Sequence, residues 1–401
     1  MFKKLLSLCL AVFMVATLCL SMASCGDSKG DFKLGVILLH DEASTYDLNF
    51  IEAVNRAAEQ LGLSEDQVIF KKNIPESNAC YEAAADLVDA GCKVIFADSF
   101  GHETYLLKAA KEFTDVQFCH ATGTMAHTEK LPNFHNAFAS IYEGRFLAGV
   151  AAGLKLNEMM AAGKIKGDAP KMGYVGAFTF AEVISGYTSF YLGAKSVCPT
   201  VTMDVQFTGS WYDETAEKTA ALALINNGCD LISQHADSMG APSACEEQGV
   251  PNVSYNGSTV ATCPSTFIVS SKIDWTPYFV YICESYQNGT EIALDWTGTI
   301  STGSVALTAI NTAAAAEGTQ AKIDEVKAKL ISGEIHVFDT ATFTVGGETL
   351  TSYLADVDTD AAYTKDTEVI KDGYFHESEY RAAPYFDINI DGITLLNTNF
   401  G

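Results

Sequence analysis

From Phe32 onward the chain alternates between short, almost uninterrupted apolar runs and longer stretches whose apolar residues recur every three or four positions. The first run, Phe32 to Leu39, suits a parallel strand buried on both faces. A polar loop from His40 to Asn49 follows. A helix is then predicted from about Phe50 to Leu61, with Ile51, Val54, Ala58 and Leu61 on one face and Gly62 as its terminator. The same reading puts strands at 68–71, 94–97, 116–120 and 134–138, with helices at 80–90 and 104–113 between them. A long helix rich in Ala and Gly, 142–160, carries the chain onward. Beyond the loop 166–170 a second series runs strand 172–175, helix 182–194, strand 202–207, helix 215–226, strand 231–234, helix 241–248, strand 252–255. Two successive βα series predict an α/β protein with two parallel, doubly wound sheets. An apolar run at 267–270 and a helix at 277–287 come next. The tail holds a helix, 319–332, and then a β-rich, turn-rich stretch around Gly346-Gly347 and Gly373.

The first 25 residues follow a different pattern. Lys3 and Lys4 precede an apolar run from Leu5 to Leu20 that closes on Ser21-Met22-Ala23-Ser24-Cys25. A charged start, a short hydrophobic core and small residues before a cleavage point mark an export signal. The cysteine after Ala-Ser resembles a bacterial lipobox, in which Cys25 is diacylated and becomes the mature N-terminus. A plain signal peptide and an uncleaved anchor helix are the competing readings, and the run is shorter than the roughly 20 apolar residues a bilayer span needs. The polar tract 26–31 then reads as a tether.

Removing residues 1–24 leaves 377, enough for two lobes. The mature chain sets 23 basic against 50 acidic residues, a net charge of −27. Such a surface repels nucleic acid and anionic headgroups, so neither is expected as the main partner. Eight cysteines remain besides Cys25, with no CxxC pair, and most fall within apolar helix or strand patterns. They are expected to be mostly free, small buried residues, and no metal site is expected.

Signatures of nucleotide hydrolysis and common catalysis are missing: no GxxxxGK[ST], GxGxxG, HExxH or GxSxG occurs. No enzyme activity and no cofactor are therefore expected. What recurs is a polar or aromatic cluster directly after the carboxyl end of a strand, where open α/β sheets bind ligands. The first series offers His40-Asp41 with Tyr46 and Asn49, then Asp98-Ser99-Phe100-Gly101, then His120-Ala121-Thr122-Gly123. The second offers Ala177-Phe178-Thr179-Phe180, Ser210-Trp211-Tyr212-Asp213, His235-Ala236-Asp237-Ser238 and Asn256-Gly257-Ser258. Flat rings suit a planar heterocycle, while Asp, Asn and Ser suit sugar hydroxyls or the edge of a base. Carboxylates at Asp41, Asp98 and Asp237 face few basic groups, with Lys272 the main candidate, which disfavours a phosphorylated ligand.

The runs Val94-Ile95-Phe96-Ala97-Asp98-Ser99-Phe100-Gly101 and Phe118-Cys119-His120-Ala121-Thr122-Gly123 resemble the basic membrane protein A family. Tyr142 to Gly153, Ser210 to Asp213, Gln234 to Ser238 and Ser332 to Phe338 resemble its Med-like branch. The resemblance implies a lipid-anchored, extracytoplasmic protein with a two-lobed type I periplasmic-binding-protein fold. It also implies a purine nucleoside or base as ligand, and an ABC permease as membrane partner. Another heterocycle such as a flavin, a sensor role, and a nucleoside hydrolase are the alternatives. By the same likeness Tyr46 and Asn49 belong to the first ligand loop, Ser99 and Phe100 to the second, and Phe178 is the opposing stacking ring. Asn256 stands where nucleoside-binding relatives commonly carry an Asp that grips ribose. Lys272, Trp211 and Trp275 are further candidates for the cleft. The expected division is 1–24 signal and 25–31 tether, with 32–140 and 271–310 as the first lobe. The second lobe and tail then take 141–270 and 311–401.

Overall fold

The computed structural model describes residues 32–165, 167, 169–357 and 364–400. The expected signal, the tether and Cys25 lie outside the described residues. In chain order the first part contains β1 (Leu34–Ile37), α1 (Thr45–Leu61), β2 (Val68–Lys71), α2 (Asn78–Asp89), β3 (Val94–Ala97), α3 (Glu103–Glu112), β4 (Gln117–His120) and β5 (Phe134–Ala139). The second contains α4 (Ile141–Ala161), β6 (Lys171–Gly176), α5 (Ala181–Val197), β7 (Thr202–Phe207), α6 (Glu214–Asn226), β8 (Leu231–Gln234), α7 (Gly240–Gln248), β9 (Asn252–Tyr255) and β10 (Phe267–Ile273). Then follow α8 (Thr276–Asn288), β11 (Asp295–Gly298), β12 (Val305–Leu307), α9 (Thr319–Ser332) and, late in the tail, β13 (Ile393–Leu395).

Among the described residues two large sheets result, ordered β11-β5-β4-β3-β1-β2 and β12-β10-β9-β8-β6-β7-β13, beside two small two-stranded sheets in the tail. All pairings in the two large sheets are parallel except β10 with β12. The chain crosses between the sheets after Ala139, after Ile273 and after Gly298, so three strands of backbone form the hinge. Helix α8 does return to the first lobe, packing on α1. Residues 271–273 and 305–307 belong to the second sheet, however, so the crossings do not fall at the expected 271 and 310. The reason is that β10 runs on past Ser270, and Ser271, Lys272 and Ile273 pair with Leu307, Ala306 and Val305.

The expected loop 40–49 is shorter than its polarity suggests. Helix α1 already begins at Thr45, because the Ser44 side chain accepts the Asp47 N–H at 3.2 Å and caps it. Tyr46 and Asn49 therefore sit on the first turns of a helix. The Gly-rich character of α4 also has a packing cause. A Cβ on Gly149 would collide with the Phe190 carbonyl oxygen, and one on Gly193 of α5 with that of Phe146. Glycine at both positions lets the two helix backbones touch. All eight remaining cysteines are buried and free. The tail wraps the second lobe around the stacked pair Phe338 and Phe386 (centroids 4.1 Å apart) and reaches the first through Ala382 N–H, which donates to Asp295 at 2.6 Å. No helix among the described residues is long and apolar enough to cross a membrane.

Candidate functional site

Between the lobes lies a pocket that in this tightly closed form has a cavity volume of only about 20 Å³, well below the ~300–1,000 Å³ usual for small-molecule sites. Its walls are the carboxyl ends of the strands of both sheets. The first lobe contributes Leu39 and His40 after β1, Tyr46 and Asp47 from α1, Asp98, Ser99 and Phe100 after β3, and Thr122 after β4. The second contributes Glu182 from α5, Trp211 after β7, His235 and Asp237 after β8, and Tyr255 at the end of β9. The lobes are closed over it. Thr45 donates its N–H and hydroxyl to the Asp237 carbonyl at 3.0 and 3.2 Å, and two ring pairs, His40 with Tyr212 and Phe100 with Phe180, meet at 5.3 Å.

The aromatic part is built in steps. Tyr46 is fixed by its hydroxyl, which donates to the Asp98 carbonyl at 2.7 Å, and its ring meets Phe50 edge-on. On the opposite wall Trp211 meets Phe178 edge-on at 4.9 Å, and Phe178 stacks on Phe180 at 5.2 Å.

The polar part is acidic, and no Lys or Arg is among the lining residues. Burial, and then the charge of Asp47, push the Asp98 carboxyl well above the usual range. Burial works against ionisation of Asp47 too, but hydrogen bonds from His40 and Ser44 outweigh it and hold this group below its usual value. The pair thus divides into one carboxyl that burial makes harder to ionise and one that hydrogen bonds make easier to ionise. Burial, then the charges of Glu217, Asp47 and Glu182, push Asp237 well up. Burial pushes Glu182 to about 7, against the pull of Arg145. His235 is held neutral by burial and then by Arg145. A wall on which some carboxyls hold their protons more readily than others can donate as well as accept. The hydroxyls of Thr122 and Tyr255 are buried without a hydrogen-bond partner in the protein, each at a cost of about 1–3 kcal/mol unless a ligand pairs with it.

The pocket brings together Tyr46, Ser99, Phe100, Trp211 and Asp237 from the residues picked out by sequence. Others stand elsewhere. Phe178 lies one layer behind Trp211. Asp41 accepts from Ala43 N–H and the Asn73 amide, outside the lining. Asn49 is buried and donates to the Ile273 carbonyl at 2.7 Å, which ties α1 to the second hinge crossing. Asn256, in the left-handed region at φ 62°, sets its amide 3.5 Å from the Asp237 carboxyl, behind the wall. Lys272 lies on β10 and is not a lining residue. Trp275 is core, stacked on Phe50 at 4.6 Å. The buried cation nearest the acidic wall is Arg145 of α4, whose guanidinium lies 3.3 Å from the centre of the Tyr255 ring and donates to the Gln234 carbonyl at 3.0 Å. Sequence reasoning missed Arg145, Glu182 and Tyr255 as site residues. A lone arginine inside an Ala/Gly helix was a usable signal for the first.

Comparison with known proteins gives a consistent picture. Residues 35–341 match a family described as ABC transporter substrate-binding protein PnrA-like. A purine-binding protein of Brucella abortus is 31% identical over 261 residues, covering 65% of this chain and 67% of its own length. A proposed ABC transporter glucose-binding protein of Haloferax volcanii is 32% identical over 210 residues, covering 52% of this chain and half of its own length. Among solved structures, an ABC transporter solute-binding protein from Conexibacter woesei superposes with a TM-score of 0.62 at 21% identity, covering 76% of this chain and 98% of that one. That likeness concerns the fold, which is the periplasmic-binding-protein type.

Proposed function

The chain belongs to the PnrA-like family of ABC transporter substrate-binding proteins, and from that premise we propose that its cleft clamps a purine nucleoside or free base for delivery to a membrane permease. The observation that carries this reading is the composition of the closed pocket. Tyr46, Phe100 and Trp211 offer ring faces, while Asp47, Asp98, Glu182 and Asp237 offer acceptors and donors without a lining cation. A base can stack on the rings and present its edge to the carboxyls. A phosphate would have to be buried against carboxylates, which costs far more than it returns. The Brucella relative's name points the same way.

The expected result of a thermal-shift panel is that guanosine, adenosine, inosine or their bases raise the melting temperature, while the monophosphates do not. Stabilisation should grow with concentration, to about 2.7 kcal/mol at roughly a hundredfold excess over Kd. Greater stabilisation by monophosphates sinks the reading, and so does stabilisation by glucose with none by purines. Silence across both classes would turn the search to flavins or another heterocycle, through mass spectrometry of small molecules released on denaturation.

The same reading places the protein on the outer face of the cell membrane, tethered through a diacylated Cys25. Cys25→Ser is expected to abolish fatty-acid labelling and release the protein from membranes. Unchanged retention, with residues 1–24 still attached, would favour an anchor helix instead.

A further inference from the structure

The family match ends at residue 341, yet the chain continues, and its final described stretch runs toward the cleft. Gly392 accepts the Met203 N–H at 3.0 Å, and β13 then adds itself as an edge strand beside β7, pairing Ile393, Thr394 and Leu395 with Met203, Asp204 and Val205. Past the strand, the Asn397 side chain continues the ladder. Its Oδ1 accepts the Phe207 N–H at 2.7 Å and its amide donates to the Phe207 carbonyl at 2.9 Å. Finally the Phe400 carbonyl accepts both the N–H and the hydroxyl of Thr179, each at 2.7 Å.

These partners are not arbitrary. Thr179 stands between Phe178 and Phe180, and Phe207 ends the strand that leads to Trp211. The bonded loops are therefore the ones that carry Trp211 of the second-lobe wall and the rings Phe178 and Phe180 packed against it. A separate packing feature agrees. Gly209, on the second loop, has φ 76°, and the Phe400 ring occupies the place a Cβ there would need. Loop and tail are shaped to each other.

We propose that residues 391–400 act as a positioning clamp for the ligand cleft, with Asn397 and Phe400 holding the loops 177–180 and 207–211 so that Trp211 faces the pocket. No clamp residue touches the pocket itself, since the lining of the second lobe is Glu182, Trp211, His235, Asp237 and Tyr255. The effect on affinity rests on the cleft being the ligand site, as proposed above. The clamp itself does not.

The test is the double variant Asn397→Ala, Phe400→Ala in the full chain, read in two ways. Hydrogen exchange of 176–181 and 207–213 should quicken by about tenfold, while β1 to β5 keep their protection. Guanosine affinity should fall by about tenfold with a melting temperature near that of the parent, and Asn397→Asp, which keeps the acceptor for Phe207 N–H, should recover part of the loss. Unchanged exchange overturns the clamp. Faster exchange with unchanged guanosine affinity overturns its role in binding. If the double variant fails to fold, the single Asn397→Ala variant carries both readouts. If the parent protein binds none of guanosine, adenosine, inosine or their bases, the purine reading falls, and the clamp is judged on exchange alone.

Discussion

Arg145→Met is expected to cost about 2–3 kcal/mol of stability at pH 8, and less at pH 6. The guanidinium is 1% exposed, faces the Tyr255 ring at 3.3 Å and donates to the Gln234 carbonyl. A desolvated cation–π contact is worth about 2 kcal/mol, and a hydrogen bond from a charged donor about 1.5–3 kcal/mol. Relief from burying a charge offsets part of that sum. The pH dependence comes from Glu182, which burial raises to about 7 and Arg145 pulls down. A carboxyl whose folded pKa is raised binds its proton in the folded state first, so stability falls as pH rises through the window between the unfolded value and about 7. Without Arg145 the folded value rises further, and the fall continues to higher pH. The parent and variant therefore diverge above pH 7 and converge below it. Denaturant unfolding at the two pH values measures this. Equal losses at both would separate Arg145 from Glu182, and a loss under about 0.5 kcal/mol at both would make the buried arginine dispensable.

Which parts of this architecture the sequence made legible follows from the range of each cause. The βα series was readable because a strand buried on both faces is a continuous apolar run, as at Val94–Ala97, and because helix α9 carries its own boundaries, with Gly318 before it and Gly333 after it. The short edge strands β11, β12 and β13 were not readable. Asp295-Trp296-Thr297-Gly298 has no strand pattern of its own and is ordered by pairing with β5 across a long loop of chain. The site divided in the same way. Tyr46, Ser99, Phe100, Trp211 and Asp237 follow strand ends or open a helix beside them, so position alone placed them near the cleft. Asn49 and Asn256 share that position but turn to the hinge and to Asp237, a choice made by three-dimensional neighbours. Arg145 lay farther off still, in a helix that reaches the site only because paired glycines let α4 and α5 touch.

Trp211→Ala is expected to weaken purine binding by about 1–3 kcal/mol, which is roughly five- to 150-fold. Trp211 is the one tryptophan among the lining residues, and its ring backs onto Phe178 at 4.9 Å and Phe180 at 6.1 Å. Phe178 makes no part of the lining and acts by buttressing Trp211, so Phe178→Ala should cost less, under about 1 kcal/mol of affinity, the scale of one aromatic pair. The resemblance-based expectation put Phe178 in the stacking role, and the two substitutions distinguish the arrangements. Calorimetry with guanosine on both variants gives the order, with melting temperatures near the parent's required because Phe178 also packs on Phe180. A larger loss from Phe178→Ala than from Trp211→Ala would move the stacking face back to Phe178 and require the 177–180 loop to swing into the cleft on binding. Full affinity in Trp211→Ala would take the tryptophan out of the site and leave Tyr46 and Phe100 as the rings that hold the base.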